Sequence, residues 1–148
     1  MPAEMNPTPK AKLLAQSFAL AEGFHVPNSL PARTHNPGDL EIGDVGYGED
    51  AGKTIFPDDQ TGWDWLYGET TLMLAGQQAR HHSRIYSLGD TFLKVAENYT
   101  GHDNAESWAE TVSHFHGLQP TNTLQDFLDL PLPASSPGSA TDEGELDT

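Results

Sequence analysis

The chain contains no cysteine in 148 residues, so disulfides, thiolate zinc sites and cysteine nucleophiles are all excluded. Its cations are almost as scarce: seven Lys and Arg stand against 22 Asp and Glu, a formal net charge of −15. A surface of that sign repels polyanions and offers no basic stripe for phosphate contacts, which excludes the usual route to nucleic-acid binding. No apolar run approaches the length that spans a bilayer, and the first residues carry no basic segment followed by an apolar one, so neither a membrane anchor nor a signal peptide is expected. There is no Gly-rich phosphate loop, no G-x-S-x-G nucleophile elbow and no internal repeat. Seven histidines are present, but none stands four residues from another. His114 and His116, two apart, would diverge by about 200° on a helix. Solvated histidines are therefore expected, with no metal and no cofactor.

What remains is enough for one folded domain. Hydrophobic residues make up 36% of the chain, and they are concentrated between residues 9 and 130. Residues 1–8 carry little that can pack and are expected to be a flexible N-terminus. Residues 131–148, rich in Pro, Ser, Gly and acid, have the composition of a disordered tail.

Thr8-Pro9 is a helix start, with a capping hydroxyl followed by a proline whose missing N–H costs nothing there. Leu14, Phe18 and Ala21 then share a face, flanked by Ala11 and Leu20, and Gly23 is the stop. From 23 to 59, prolines and glycines break every regular pattern. Short extended pieces at Asp39–Ile42 and Lys53–Phe56 are expected to pair as a hairpin. Helical periodicity resumes after Asp58 or Asp59, with Trp63, Leu66, Tyr67, Thr70, Met73 and Leu74 in phase. A further helix is expected after Ser87 and Asp90, which have capping-box spacing. Another follows Asp103 and Glu106, with Trp108, Val112 and Phe115 on its buried face, and a short one runs from Thr123 to Leu128. The fold class read from these elements is mainly α (α+β), about five helices with one irregular, hairpin-bearing segment after the first.

Glu22 ends the apolar face of the first helix just before the loop. A last-turn acid sits unfavourably against the helix dipole, and partial desolvation there would raise its pKa toward the range a general acid requires. Surface charge is the bland alternative. Asp39, Glu41 and Asp44 follow on the loop, candidates for the second carboxylate that glycoside cleavage commonly uses. "NPGD" at 36–39 is in itself a turn signal. Among the aromatics, Trp65 lies off its helix's main face and Tyr99 stands two residues before Gly101, so either could stack on a sugar.

Taken in order, "AEGF", "NPGDL", "FPDDQTGWDWL", "IYSLGDTFLKVAENYTGHDNAESWAETV" and "GLQPTNTL" resemble a family of phage-associated and bacterial muramidase-like proteins. That family lies in the lysozyme-like superfamily, beside goose-type lysozymes and lytic transglycosylases, and the likeness covers residues 11–128. The resemblance implies a two-lobed helical domain whose cleft binds the glycan strands of peptidoglycan. It implies that Glu22 protonates the oxygen between N-acetylmuramic acid and N-acetylglucosamine, and that Asn36, Gly38 and Leu40 lie near the sugar. "YTG" resembles the Tyr-Asn-Gly of transglycosylases, which makes Tyr99 a residue that positions substrate and glutamate. Relatives carry Asn-Pro-Gly-Asn with a basic residue two positions on. This chain has Asp39 and Glu41 there, so either acid is a candidate helper. The chain is expected to act as a monomer, extracytoplasmic, secreted or phage-associated. A catalytically silent wall-binding or phage structural module, a lytic transglycosylase and a chitinase-like glycosidase stay open beside the muramidase.

Overall fold

The computed structural model describes residues 7–43 and 47–132. Asp44, most of the expected flexible N-terminus and most of the expected acidic tail lie outside the described residues. The chain is mainly helical, with one two-stranded antiparallel sheet.

Helix α1, Pro9–Glu22, starts as its sequence dictates: the Thr8 hydroxyl accepts the Ala11 N–H, and Gly23 closes it in the left-handed region at φ 83°. Ala11, Leu14, Ala15, Phe18 and Ala19 are all buried, the i, i+3, i+4, i+7, i+8 stripe of an amphipathic helix, and α1 packs on both α3 and α5. Only Leu20 among its large apolar residues is exposed, against the expectation that it flanks the core. Helix α2, Leu30–Arg33, is a single turn capped by Ser29. Helix α3, Asp59–Leu74, begins where Asp58 caps the Thr61 N–H. It lies on α1, and the Thr70 hydroxyl donates to the Ala11 carbonyl across the interface.

Helices α4, Phe92–Thr100, and α5, Ala105–Phe115, form a hairpin whose α5 limb packs on α1. Their starts differ from expectation. Ser87 and Asp90 do bond each other, but they close a turn, and Thr91 caps α4 instead. α5 starts after Asn104, which is left-handed at φ 58° and makes no side-chain cap bond. Phe115 is exposed; Trp108, Ala109 and Val112 form the buried face. The last helix, α6 (Leu124–Leu128), carries a full capping box between Thr123 and Asp126. The Lys10 ammonium ties it to α1 by donating to the Phe127 and Leu130 carbonyls. Among the described residues no helix is long and apolar enough to cross a membrane.

One half of the hairpin is where the sequence places it, and the other is not. Its strands are β1, Glu49–Asp50, and β2, Lys53–Thr54, with Glu49 opposite Thr54 and Asp50 opposite Lys53. Ala51 and Gly52 turn it, both at positive φ. Residues 39–42 run beside β2, and the Thr54 N–H donates to the Leu40 carbonyl. The Asp39 N–H donates to the Asn36 carbonyl, and the next three N–H groups go to side chains. Leu40 donates to Asn36 Oδ1, Glu41 to His81 Nδ1 and Ile42 to Thr54 Oγ1.

Candidate active site

Phe18 and Glu22 are one helical turn apart on α1 and therefore share a face. The core side of that face is an aromatic triad. The Phe18 ring lies 4.7 Å from Trp108 and 4.9 Å from Tyr99, and Tyr99 stacks on Trp108 at 5.1 Å. Packing on Phe18 brings the indole N–H of Trp108 to Glu22 Oε2, 2.8 Å away. One carboxyl oxygen of Glu22 is thereby fixed in direction.

Glu22 lines a cavity of about 350 Å³. Asp39 from the loop, Lys53 from β2, His81 and His82 from the 3-10 turn His81–Ser83 after α3, Tyr99 from α4 and Trp108 from α5 share the lining, which Asp103 and Asn104 before α5 and Ser107 and Thr111 on it continue. Burial raises the Glu22 carboxyl from its ordinary value to about 7. The nearby Asp39 charge adds to the rise, and the Trp108 hydrogen bond and more distant Lys53 oppose it. Near neutral pH this group therefore holds a proton in a large fraction of molecules and can give it up, which is the condition for a general acid.

The cause makes a prediction. A hydrogen bond to a carboxylate is worth about 1.5 kcal/mol or more, which corresponds to about one pH unit. Trp108→Phe removes the bond and keeps the ring packing, so the Glu22 midpoint in a carbon-13 NMR titration should move up by about one pH unit. A midpoint that stays put would mean that Trp108 acts on Glu22 only by covering it.

Asp39 stands at φ 53°, a region that Asp tolerates better than most residues and that clusters at functional sites. Its Oδ2 is 3.5 Å from the Lys53 ammonium, while Oδ1 is buried with no partner. Burial raises the Asp39 carboxyl, and Lys53, by charge and hydrogen bonding, lowers it. Glu41 accepts from the same ammonium at 2.6 Å. Burial would lift Glu41 as well, but the Lys53 hydrogen bond and charge bring it below its ordinary value.

Of the other expected site residues, Asn36, Gly38, Leu40 and Trp65 are not among those that line the cavity, and Tyr99 is. Asn36 is fully buried; its amide donates to the Leu40 and Thr54 carbonyls and accepts from Leu40 N–H, so it shapes the loop. Leu40 belongs to the core. Gly38 lies against Leu66 and the Tyr99 hydroxyl, where a Cβ would come within 2.6 Å of Leu66. Tyr99 lines the cavity but is only 2% exposed, and its hydroxyl donates to the Gly38 carbonyl at 2.6 Å. It braces the loop that carries Asp39. Trp65 is buried between Phe56 and the Arg80 guanidinium, not open to a sugar.

Of the histidines expected in solvent, His81 is buried and His116 is half-buried. His116 reaches Ser17 Oγ at 2.9 Å and packs on Phe127; burial lowers it to about 4. His81 bridges the Glu41 N–H and the Tyr99 carbonyl, which fixes the neutral tautomer with the proton on Nε2. Burial, with His82 alongside, lowers it to about 3. Beneath it, the buried carboxylate of Glu69 accepts the N–H groups of Arg80 and His81. Lys53, His81 and Glu69 are not apparent as site residues in the sequence, although Lys53 gives one signal: it is the sole Lys or Arg between Arg33 and Arg80.

No protein-family model, curated protein or solved structure matches this chain. Among the described residues no group of three His, Cys, Asp or Glu could hold a metal ion. The chemistry available to the cavity's own side chains is proton transfer: one carboxyl that keeps its proton near neutrality, and a second beside an ammonium.

Proposed function

We propose that the protein cleaves the glycan strands of peptidoglycan between N-acetylmuramic acid and N-acetylglucosamine, as a muramidase with Glu22 as general acid. One observation carries this reading: a carboxyl raised to about 7, held by an indole N–H at the end of a helix, lines a cavity of about 350 Å³ with a second carboxylate beside it. Two carboxyls with unlike environments are the working parts of glycoside cleavage. The motif order from "AEGF" to "GLQPTNTL" supports the same reading through its resemblance to lysozyme-like proteins, and with it an activity exerted outside the cytoplasm or on a phage particle.

A polar wall along α5 gives a sugar chain hydroxyl and amide partners, and Trp108 closes the floor with an apolar ring. The acid's proton goes to the glycosidic oxygen as the bond to the anomeric carbon breaks. The test is direct. Purified sacculi incubated with the protein should release soluble muropeptides, identified by mass. Retention of intact sacculi with bound protein would favour the second reading, a wall-binding module without catalysis, for which the pairing of both loop acids with Lys53 is the observation in favour.

A further inference from the structure

The basic side chains of the cavity lining, Lys53, His81 and His82, come from β2 and the 3-10 turn, whereas the α5 side contributes no base. Two of the three are committed inside the protein. The Lys53 ammonium is held by Glu41 at 2.6 Å and by Asp39 at 3.5 Å. Both ring nitrogens of His81 are engaged, one by the Glu41 N–H and one by the Tyr99 carbonyl. The His82 ring is exposed and packs on that of His81, 4.0 Å between centroids. Its nitrogens make no hydrogen bond among the described residues.

The turn that presents His82 is fixed on both sides of it. The Gln78–Ile85 bridge and the 2.7 Å bond from the Ala79 N–H to the Arg84 carbonyl close its base. The Glu69 carboxylate accepts the Arg80 and His81 N–H groups, and the Gln78 amide donates to the Ser83 carbonyl. Within this frame His82 and Ser83 are left-handed in succession, at φ 61° and 52°. Such positions cost the fold free energy, glycine holds them at less cost, and they cluster where ligands are met. What the frame delivers is one imidazole at the cavity with an N–H to give, since a neutral ring carries one such donor and a protonated ring two.

We propose that His82 is a specificity-determining residue whose N–H recognises the acyl oxygen of the lactyl arm of N-acetylmuramic acid, so that the cavity selects peptidoglycan over chitin. It rests on the glycosidase reading of the same cavity and decides between its muramidase and chitinase-like forms. The sugars of chitin lack that arm, and in peptidoglycan the arm brings an added acceptor, a carbonyl where a peptide stem is attached. Asp39 and Glu41 outnumber the one ammonium beside them, so an uncharged carbonyl suits that side better than a free carboxylate. The hydroxyls and amide along α5 match the hydroxyl and acetamido groups that both glycans share.

The test uses Glu22→Gln as background, so that ligands bind without being cleaved. One ligand is a tetrasaccharide of alternating N-acetylglucosamine and N-acetylmuramic acid with its lactyl carboxyls capped as methylamides; the other is tetra-N-acetylchitotetraose. In isothermal titration calorimetry the muramyl ligand should bind roughly fivefold or more tightly than the other, the effect of one hydrogen bond. His82→Gly should bring that ratio close to one. His82→Asn keeps an N–H donor and tolerates the left-handed region, and should recover part of the preference. Melting separates recognition from architecture: glycine relieves the strain, so His82→Gly should melt at or above the background. A ratio near one in the background, a ratio unmoved by His82→Gly, or a His82→Gly protein that melts lower overturns the proposal. Binding of neither glycan overturns it as well, whereas the glycosidase reading stands or falls separately, on Glu22-dependent release of muropeptides from sacculi.

Discussion

Glu22→Gln should abolish clearing of a peptidoglycan suspension and at the same time stabilise the folded protein in alkali. Gln is isosteric and still accepts the Trp108 N–H that Glu22 Oε2 accepts at 2.8 Å, so the cavity keeps its shape while the transferable proton is lost. Positioned general acids contribute roughly 100- to 10,000-fold, and the initial clearing rate should fall by at least about 100-fold. Equal clearing by both proteins would remove Glu22 from the mechanism.

The stability effect follows from the same burial. Glu22 titrates near 4.5 in an unfolded chain and at about 7 when folded. Below the unfolded value both states hold the proton and nothing is lost. As pH rises toward 7 the unfolded chain ionises first, so stability falls, and above 7 the loss levels off on the order of 3 kcal/mol. The amide that replaces the carboxyl in Glu22→Gln does not titrate. Melting curves of wild type and variant should therefore coincide near pH 4, and the variant should melt several degrees higher at pH 8. Parallel pH dependence of the two would mean that Glu22 ionises freely. A residue that costs the fold free energy and has no structural replacement value is what a functional acid looks like.

Gly62→Ala should be the most damaging single methyl in the fold. A Cβ at position 62 on α3 would lie 1.9 Å from the His35 carbonyl oxygen and 2.8 Å from Pro37 Cδ. Neither is the end of a flexible side chain. The loop would have to lift off the helix, and the loss should be about 3 kcal/mol, more than the helix propensity Ala gains over Gly. The same loop carries Asp39, so activity should fall together with stability. Gly43→Ala is the control: its Cβ would meet nothing within 4 Å, and its urea midpoint should match the wild type. A Gly62→Ala midpoint equal to that of the control would mean that the loop does not rest on α3 in solution.

The helices were legible because their signals are local. Thr8-Pro9 and Asp58 cap where the sequence puts them, and the short last helix falls within its expected span. Ser87 and Asp90 have capping-box spacing and do bond each other, but Thr91, adjacent to Phe92, takes the cap; spacing alone does not rank competing caps. Residues 39–42 read as half of a hairpin because they do run beside the expected partner, but Thr54 meets them with one backbone N–H and its side chain, while Asn36 and His81, up to 40 positions away, take the N–H groups of Leu40 and Glu41. Glu22 could be singled out because it extends the Leu14–Phe18 face. What raises its pKa could not, since Trp108 and Asp39 arrive through tertiary packing. His81 and His116 read as solvated for the same reason: a lone histidine that packs inward has no sequence pattern, only partners such as the Tyr99 carbonyl and Ser17.

The donation of three consecutive N–H groups, at Leu40, Glu41 and Ile42, to side chains has a consequence for hydrogen–deuterium exchange. Isolated coil exchanges its amides within seconds to minutes, and these residues have no helix or strand to shield them. Their acceptors, however, are themselves locked, two of them fully inside the protein and the third anchored by the Tyr99 carbonyl. These amides should open only when the surrounding helices open, and so exchange with the slow core class. An irregular segment at the edge of a cavity would then be as reluctant to breathe as α1, and a glycan chain entering there would meet a wall already set.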